Sequence, residues 1–531
     1  RVVLRDGANY VRQYVSLAAR NAPVRPQEIV LVQLASPAAK PAGTLDGAPV
    51  VVGDLFFAFE HPLSKIQVPN AQPGAIRCYL PRTASLNAGD NQEYSSVMGV
   101  VPPGQLRRGF LYYVERERAQ PYRPFLHYNS WYDIGYGKER IVEDKALQVV
   151  ELFGKELIEA RQVVMDSFVP DDGWDDPASL WRFHDGFPNG FTALARLAKQ
   201  YHAGVGVWLS PWGGYGKAKE ERMKYGRQEG FETNRNGFSM AGPKYYARFR
   251  EVCTRMIRDY DLNYFKFDGI SSGGTPTGAP AEFAADVEAL LRLIGDLRRA
   301  KPSVFINVTT GTWSSPYWLW YADSTWRSGA DWSTCGWGAK RQQQVTYRDA
   351  QTYQNVVCRA PLYPINSLMT QGVMFANYGL PDQTDGLTED IRAFFASGTN
   401  CQELYITPAL LSQAMWDVLA EAANWSRANA DVLVDTHWVG GDPAQGEVYG
   451  WASWSPRKAI LGLRNPKDVP GRITLDIGKT LELPPGAAQR YSLRSPWKDD
   501  SAPGPQILAS GKEHTFELKP FEVIVFDATP L

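Results

Sequence analysis

At 531 residues the chain is too long for one compact core, so two or three domains are expected. Its 44% apolar and 21% charged content is ordinary for a globular protein. A formal net charge of −1 without a basic block excludes an electrostatic footprint for nucleic acid, and no apolar run of about 18 residues offers a membrane span.

Residues 1–122 alternate β-branched and aromatic runs with Gly/Pro/Asn turns: Val2–Leu4, Ile29–Val32, Val50–Val52, Leu55–Phe59 and Leu111–Val114. This pattern predicts an N-terminal β-domain, sandwich-like, with Glu60 and His61 at a strand end in a packing role. From 123 to 429 strand-like runs alternate with helical periods, the signature of a (β/α)8 TIM barrel. The strands are expected at Phe125–Trp131, Val163–Phe168, Gly204–Leu209, Tyr264–Asp268, Val304–Val308, Ser324–Arg327, Pro361–Leu368 and Leu404–Thr407. Helices are expected at Glu143–Ala160, Tyr245–Tyr260 and Pro280–Ala300. From 430 to 531 short β runs separated by Pro/Gly/Asp turns predict a small antiparallel C-terminal β-domain. The fold class is therefore multidomain α/β, with the barrel flanked by two β-domains.

The chemistry of such a barrel collects at the C-terminal ends of its strands. Asn129-Ser130-Trp131, Asp171-Asp172-Gly173-Trp174, Ser210-Pro211-Trp212, Lys266-Phe267-Asp268, Asn307 to Trp313 and Trp326-Arg327 to Asp331 fall there together. In Asn263–Gly269 a cation and an anion leave one buried strand on the same face, just before a glycine-rich turn at 271–274. Burying Lys266 and Asp268 is costly unless each is paired with the other or with a ligand; a plain structural ion pair explains that stretch alone equally well. Carboxylates that accept from vicinal hydroxyls, beside tryptophans that pack on sugar rings, suit carbohydrate. Two further carboxyl groups can cleave a glycoside, one attacking and one protonating the leaving oxygen. Asp268, beside Lys266, is the expected nucleophile. Asp331, in a Trp-flanked loop, is the expected general acid, with Asp323 as its competitor. Asp175 and Asp176 read as structural loop carboxylates.

These motifs resemble the retaining α-galactosidases of glycoside hydrolase family 36, over residues 123–531. The resemblance rests on NSWY at 129–132, DDGW at 171–174, GVWLSP at 206–211, KFD at 266–268, WRSGAD at 326–331, GGDP at 440–443 and LRNP at 463–466. It implies Asp268 as nucleophile and Asp331 as acid/base, with Asp171 and Asp172 on O4 and O6 of a galactose-type ring. It further implies Lys266 on O3/O4, Arg327 near O2 and the nucleophile, and Trp131 and Trp212 as subsite walls. Asn129 and Trp174 join the expected substrate-binding residues. The GISSGG run after Asp268, TTGTW at 309–313 and a short N-terminal region depart from the family and leave α-N-acetylgalactosaminide as an alternative substrate. Transglycosylation and a non-catalytic carbohydrate-binding role are the other readings.

The partner expected is an oligosaccharide or glycoconjugate, with no cofactor. Six histidines without paired spacing predict no metal centre, and the acidic run Asp382–Asp390 reads as a solvated turn. Asn307 and Asn424 fit the glycosylation sequon, but the first lies on an expected barrel strand. Five scattered cysteines show no disulfide or metal pattern. The chain begins at Arg1, so a secreted or periplasmic location is expected if an upstream signal was removed.

Overall fold

The computed structural model describes residues 1–531 except 69–74, 83–84, 138–139, 271–276 and 500–505. The glycine-rich turn at 271–274 therefore lies outside the described residues. Five parallel strands follow the expected order, the second starting only at Ser167 rather than Val163: β1 (Phe125–Asn129), β2 (Ser167–Val169), β3 (Gly204–Leu209), β4 (Tyr264–Asp268) and β5 (Phe305–Thr309). Four more complete the sheet: β6 (Ser324–Trp326), β7 (Leu368–Met369), β8 (Val373–Phe375) and β9 (Cys401–Ile406). All pair in parallel, in the order β7-β6-β5-β4-β3-β2-β1-β9-β8. The two edge strands, β7 and β8, are consecutive pieces of one run, so the sheet comes round on itself as a TIM-barrel-like ring.

Two expectations need correction. The seventh strand does not occupy 361–368. That segment is turn and a short 3-10 helix at Ile365–Ser367, and the strand begins only at Leu368. It then breaks over Thr370–Gly372, where Gln371 takes φ of 70°. The run Leu111–Val114 is helical, within α1 (Leu106–Glu117), because Phe110, Leu111, Tyr113 and Val114 form one buried face. Spacing of three and four residues overrides the β propensity of those side chains.

The N-terminal region folds as a six-stranded sheet that includes Tyr10–Ala18, Leu55–Phe59 and Asn91–Val100, beside a three-stranded sheet. Glu60 is buried and pairs with Arg12 at 2.8 Å, consistent with packing. The C-terminal region is a six-stranded antiparallel sheet plus the pair Gly471–Asp476 and Glu513–Leu518. One apolar core runs from Ile29 and Tyr94 through the barrel helices to Trp451 and Val525. A separate cluster fills the barrel interior, including Phe125, Tyr264, Phe305, Met369 and Tyr405. Helix α2 (Pro243–Tyr260) shows how the outer layer forms. Proline opens it, Asp261 closes it in the left-handed region, and Tyr245, Phe249, Val252, Cys253 and Met256 share its buried side.

Candidate active site

The last inward residues of β1, β4 and β5, with the segment after β2, meet at one end of the barrel. Alternation on β4 points Tyr264, Lys266 and Asp268 to the interior. Lys266 pairs with Asp171 rather than with Asp268: its Nζ lies 3.0 Å from Asp171 Oδ2. Burial opposes the ammonium charge, but Asp171, Glu403 and Asp268 together raise its pKa above the ordinary lysine value. Asn129, fully buried, donates to the same Asp171 oxygen at 2.9 Å and accepts from the Trp131 amide. The Asp171 amide donates to Ser130 Oγ at 2.8 Å, and Asp171 Oδ1 accepts from the Asp172 amide. Asp171 is thus fixed from three sides.

Asp268 is half-buried and accepts three neutral donors: Thr309 Oγ1 at 2.6 Å, Trp208 Nε1 at 3.1 Å and the Tyr215 hydroxyl at 3.2 Å. Burial and the adjacent carboxylate keep Tyr215 protonated, so it can donate. The in-register pairing of Asp268 with Thr309 places the hydroxyl. The sequence places Thr309 at a strand end, but only the fold makes it and Tyr215 partners of Asp268. Gly269 follows with φ of 87°, and a Cβ there would fall 2.2 Å from the ring of Trp212. Trp212 is nearly buried, with Lys219 4.7 Å above its ring.

Asp331 stands exposed on the loop after β6, yet protein atoms crowd its carboxyl. That desolvation raises its pKa, opposed by Lys266 and reinforced by Asp268. Asp323, the competitor, is excluded by position: it sits buried before β6, 2.7 Å from Arg298, and accepts the Ile306 amide.

Asp172 is held 2.7 Å from Arg222, which also binds both oxygens of buried Asp175. Burial pushes Asp172 up to about 6, with Arg222 opposing and Asp175 adding to the rise. Asp176 accepts the Ala178 amide and caps a short 3-10 turn. Trp131 and Asp172 line a cavity of about 660 Å³ with Gly135, Asp176 and Glu221; Asp268 and Asp331 are not among its lining residues. Two expected ligand contacts are fully buried. Trp174 is fully buried against Trp181 and Phe191, its indole N–H donating to the Trp208 carbonyl at 2.9 Å, so it supports β3. Arg327 is likewise fully buried.

Behind Lys266 a polar chain continues into the barrel. Lys266 reaches the Tyr405 hydroxyl at 3.5 Å, Tyr405 donates to Glu403 Oε1 at 3.2 Å, and His127 Nε2 lies 3.5 Å from that oxygen. His127, Glu403 and Cys401 hold the one set of ligand atoms among the described residues close enough for an ion, all within 4.8 Å. They come from two strands far apart in sequence, so no spacing rule finds them. The acidic run at 382–390 is not simply a solvated turn: Asp390 is buried between Arg341 and Arg348 at 2.9 and 2.8 Å. Asn307 is fully buried inside the barrel.

No family model matches the chain, and no curated protein matches it in sequence. Solved structures do match in fold. The family 36 α-galactosidase AgaA of Geobacillus stearothermophilus superposes with a TM-score of 0.62 at 12% identity, over 99% of this chain and 80% of its own. The α-galactosidase of Lactobacillus brevis gives 0.62 at 15% identity, over 98% and 76%. α-Galactosidase I of Mortierella vinacea gives 0.51 at 12%, over 76% and 96%. From end to end, the chain has the fold of the family 36 α-galactosidases.

Proposed function

We propose that this protein is a retaining, exo-acting α-glycosidase that removes a terminal galactose-type unit from an oligosaccharide or glycoconjugate. The observation that carries this reading is the pair of carboxylates on one rim: Asp268, gripped by three neutral donors, within electrostatic reach of Asp331, whose pKa is raised. That division matches the needs of double displacement. Asp268 attacks the anomeric carbon while Asp331 gives its proton to the departing glycosidic oxygen. Asp331, now a carboxylate, then takes a proton from the water that attacks the same carbon and frees Asp268. The Lys266–Asp171 pair offers a donor and an acceptor side by side, the arrangement that vicinal hydroxyls bind. The fold neighbours are α-galactosidases by name, and a variant of AgaA has been seen with raffinose, which supports an oligosaccharide substrate.

The test is hydrolysis of aryl α-galactoside and aryl α-N-acetylgalactosaminide with the product anomer followed by NMR. The α anomer is expected first, and the sugar that turns over identifies the substituent accepted at C2. A β anomer first would overturn the retaining mechanism. No turnover with sugar binding intact would favour a binding protein, and transfer to an added acceptor exceeding hydrolysis would favour a transglycosylase.

A further inference from the structure

We infer that Arg327 is a positioning residue for Asp331, clamping the loop that presents this carboxylate instead of touching the sugar. The inference rests on the acid/base reading of Asp331. Arg327 has no exposed surface, so a sugar hydroxyl has nothing to contact. Its hydrogen bonds go to carbonyls: Nε to Thr370 O at 2.9 Å, Nη1 to Ser328 O at 2.5 Å and Nη2 to Ala330 O at 3.0 Å. The guanidinium lies 4.2 Å from the Trp326 ring centre and 5.6 Å from that of Tyr347.

The loop is shaped to meet this clamp. Ser328 and Gly329 take φ of 71° and 83°, so the chain turns back over the guanidinium. The carbonyl of Gly329, between the two that Arg327 holds, accepts from Trp326 Nε1 at 3.2 Å. The Ala330 amide donates to the Tyr347 hydroxyl at 2.9 Å. Every carbonyl from Ser328 to Ala330 is therefore held, and the next residue is Asp331. A planar fork spans three diverging carbonyls and lies flat on an indole; an ammonium does neither. A left-handed serine is strained and persists where its surroundings over-determine it. Such local strain fits a loop built to aim one side chain.

The discriminating measurement is the dependence of kcat/KM on leaving group, with phenyl and 2,4-dinitrophenyl α-glycosides of the sugar that the protein accepts. A good leaving group departs unprotonated, so losing a well-aimed acid slows only the phenyl substrate. Asp331→Ala and Arg327→Lys are both expected to lose ~100-fold or more on the phenyl glycoside and far less on the dinitrophenyl glycoside. Tyr347→Phe, which frees the Ala330 amide while keeping the ring, should show the same selectivity at roughly 3- to 10-fold. A general packing defect would lower both substrates equally. If Asp331→Ala discriminates between leaving groups and Arg327→Lys does not, the positioning role is overturned and the acid assignment stands. If Asp331→Ala does not discriminate, the acid assignment falls and this inference with it. Should Arg327→Lys fail to fold, Tyr347→Phe decides: a uniform loss, or none, overturns the proposal.

Discussion

Lys266 and Asp268 leave the same face of one strand, yet the structure gives them different partners. Lys266 turns to Asp171, which Asn129 and the Asp172 amide also hold, while Asp268 is surrounded by a threonine, a tryptophan and a tyrosine donor. A cation held by a carboxylate and an anion held by neutral donors suit ligand binding and nucleophilic attack respectively. Asp268→Asn keeps the shape and one acceptor oxygen. It should lose about 10⁴-fold or more in kcat while its Tm stays within a few degrees of the wild type, as steady-state kinetics and calorimetry on one preparation would establish. Appreciable activity in that variant would remove Asp268 as nucleophile. The KFD motif made Lys266 and Asp268 legible before the fold was known, because strand alternation needs only local sequence. Thr309, Tyr215 and Trp208 were not legible as their neighbours, since register between strands tens of residues apart selects Thr309 and Trp208, and the loop after β3 brings in Tyr215.

At the level of elements, the turn after β4 is closely packed against Trp212. Gly269 accepts a left-handed backbone and leaves room for Trp212, whose ring occupies the place of a side chain. Gly269→Ala should therefore cost on the order of 1–3 kcal/mol in chemical denaturation and displace the indole. Activity should fall more than stability alone explains, because Asp268 is the preceding residue. Wild-type stability with unchanged Trp fluorescence would show that this contact is slack. The broken seventh strand belongs to the same scale. An apolar run at 361–368 carries the composition of a strand, but position in the ring decides where pairing starts, and the chain pairs only from Leu368.

Across the whole molecule, the regions are joined by buried polar contacts as well as by the continuous apolar core. The Trp313 indole N–H is shared between the carbonyls of Asp46 and Pro62, tying an N-terminal loop to the segment after β5. In the C-terminal region Arg464 is fully buried and reaches Tyr449, Thr346 and Gln342. Helix α1 is a third joint: Arg107 and Arg108 lie 2.9 and 3.0 Å from Asp435, and Arg107 also binds Glu482 at 2.7 Å. Burial opposes the Asp435 charge, but the two guanidinium groups outweigh it and hold its pKa below the usual carboxylate range. A depressed folded pKa gives stability that is present above the unfolded value, about 3.9, and is lost as pH falls through the folded one. Asp435→Asn should thus cost about 3–5 kcal/mol at neutral pH, and the gap from the wild type should narrow at acid pH as Asp435 takes up its proton. Denaturation curves at the two pH values would check this, and a gap independent of pH would refute the linkage.

The sequence by itself determined the class of the molecule. Periodicities of two and 3.6 residues marked most of β1 to β6 and three of the helices between them, and the strand-end rule grouped Lys266, Asp268 and Asp331. These signals are local, set by which residues tolerate which backbone and which face is apolar. Only the tertiary structure decided the burial and pairing of the polar groups. It buried Trp174 and Arg327, gave Asp172 to Arg222, and gathered His127, Cys401 and Glu403 into one enclosed set. The physical reason is that a charge's role depends on what surrounds it in space, and those neighbours are fixed by the closing of the sheet rather than by adjacency in the chain.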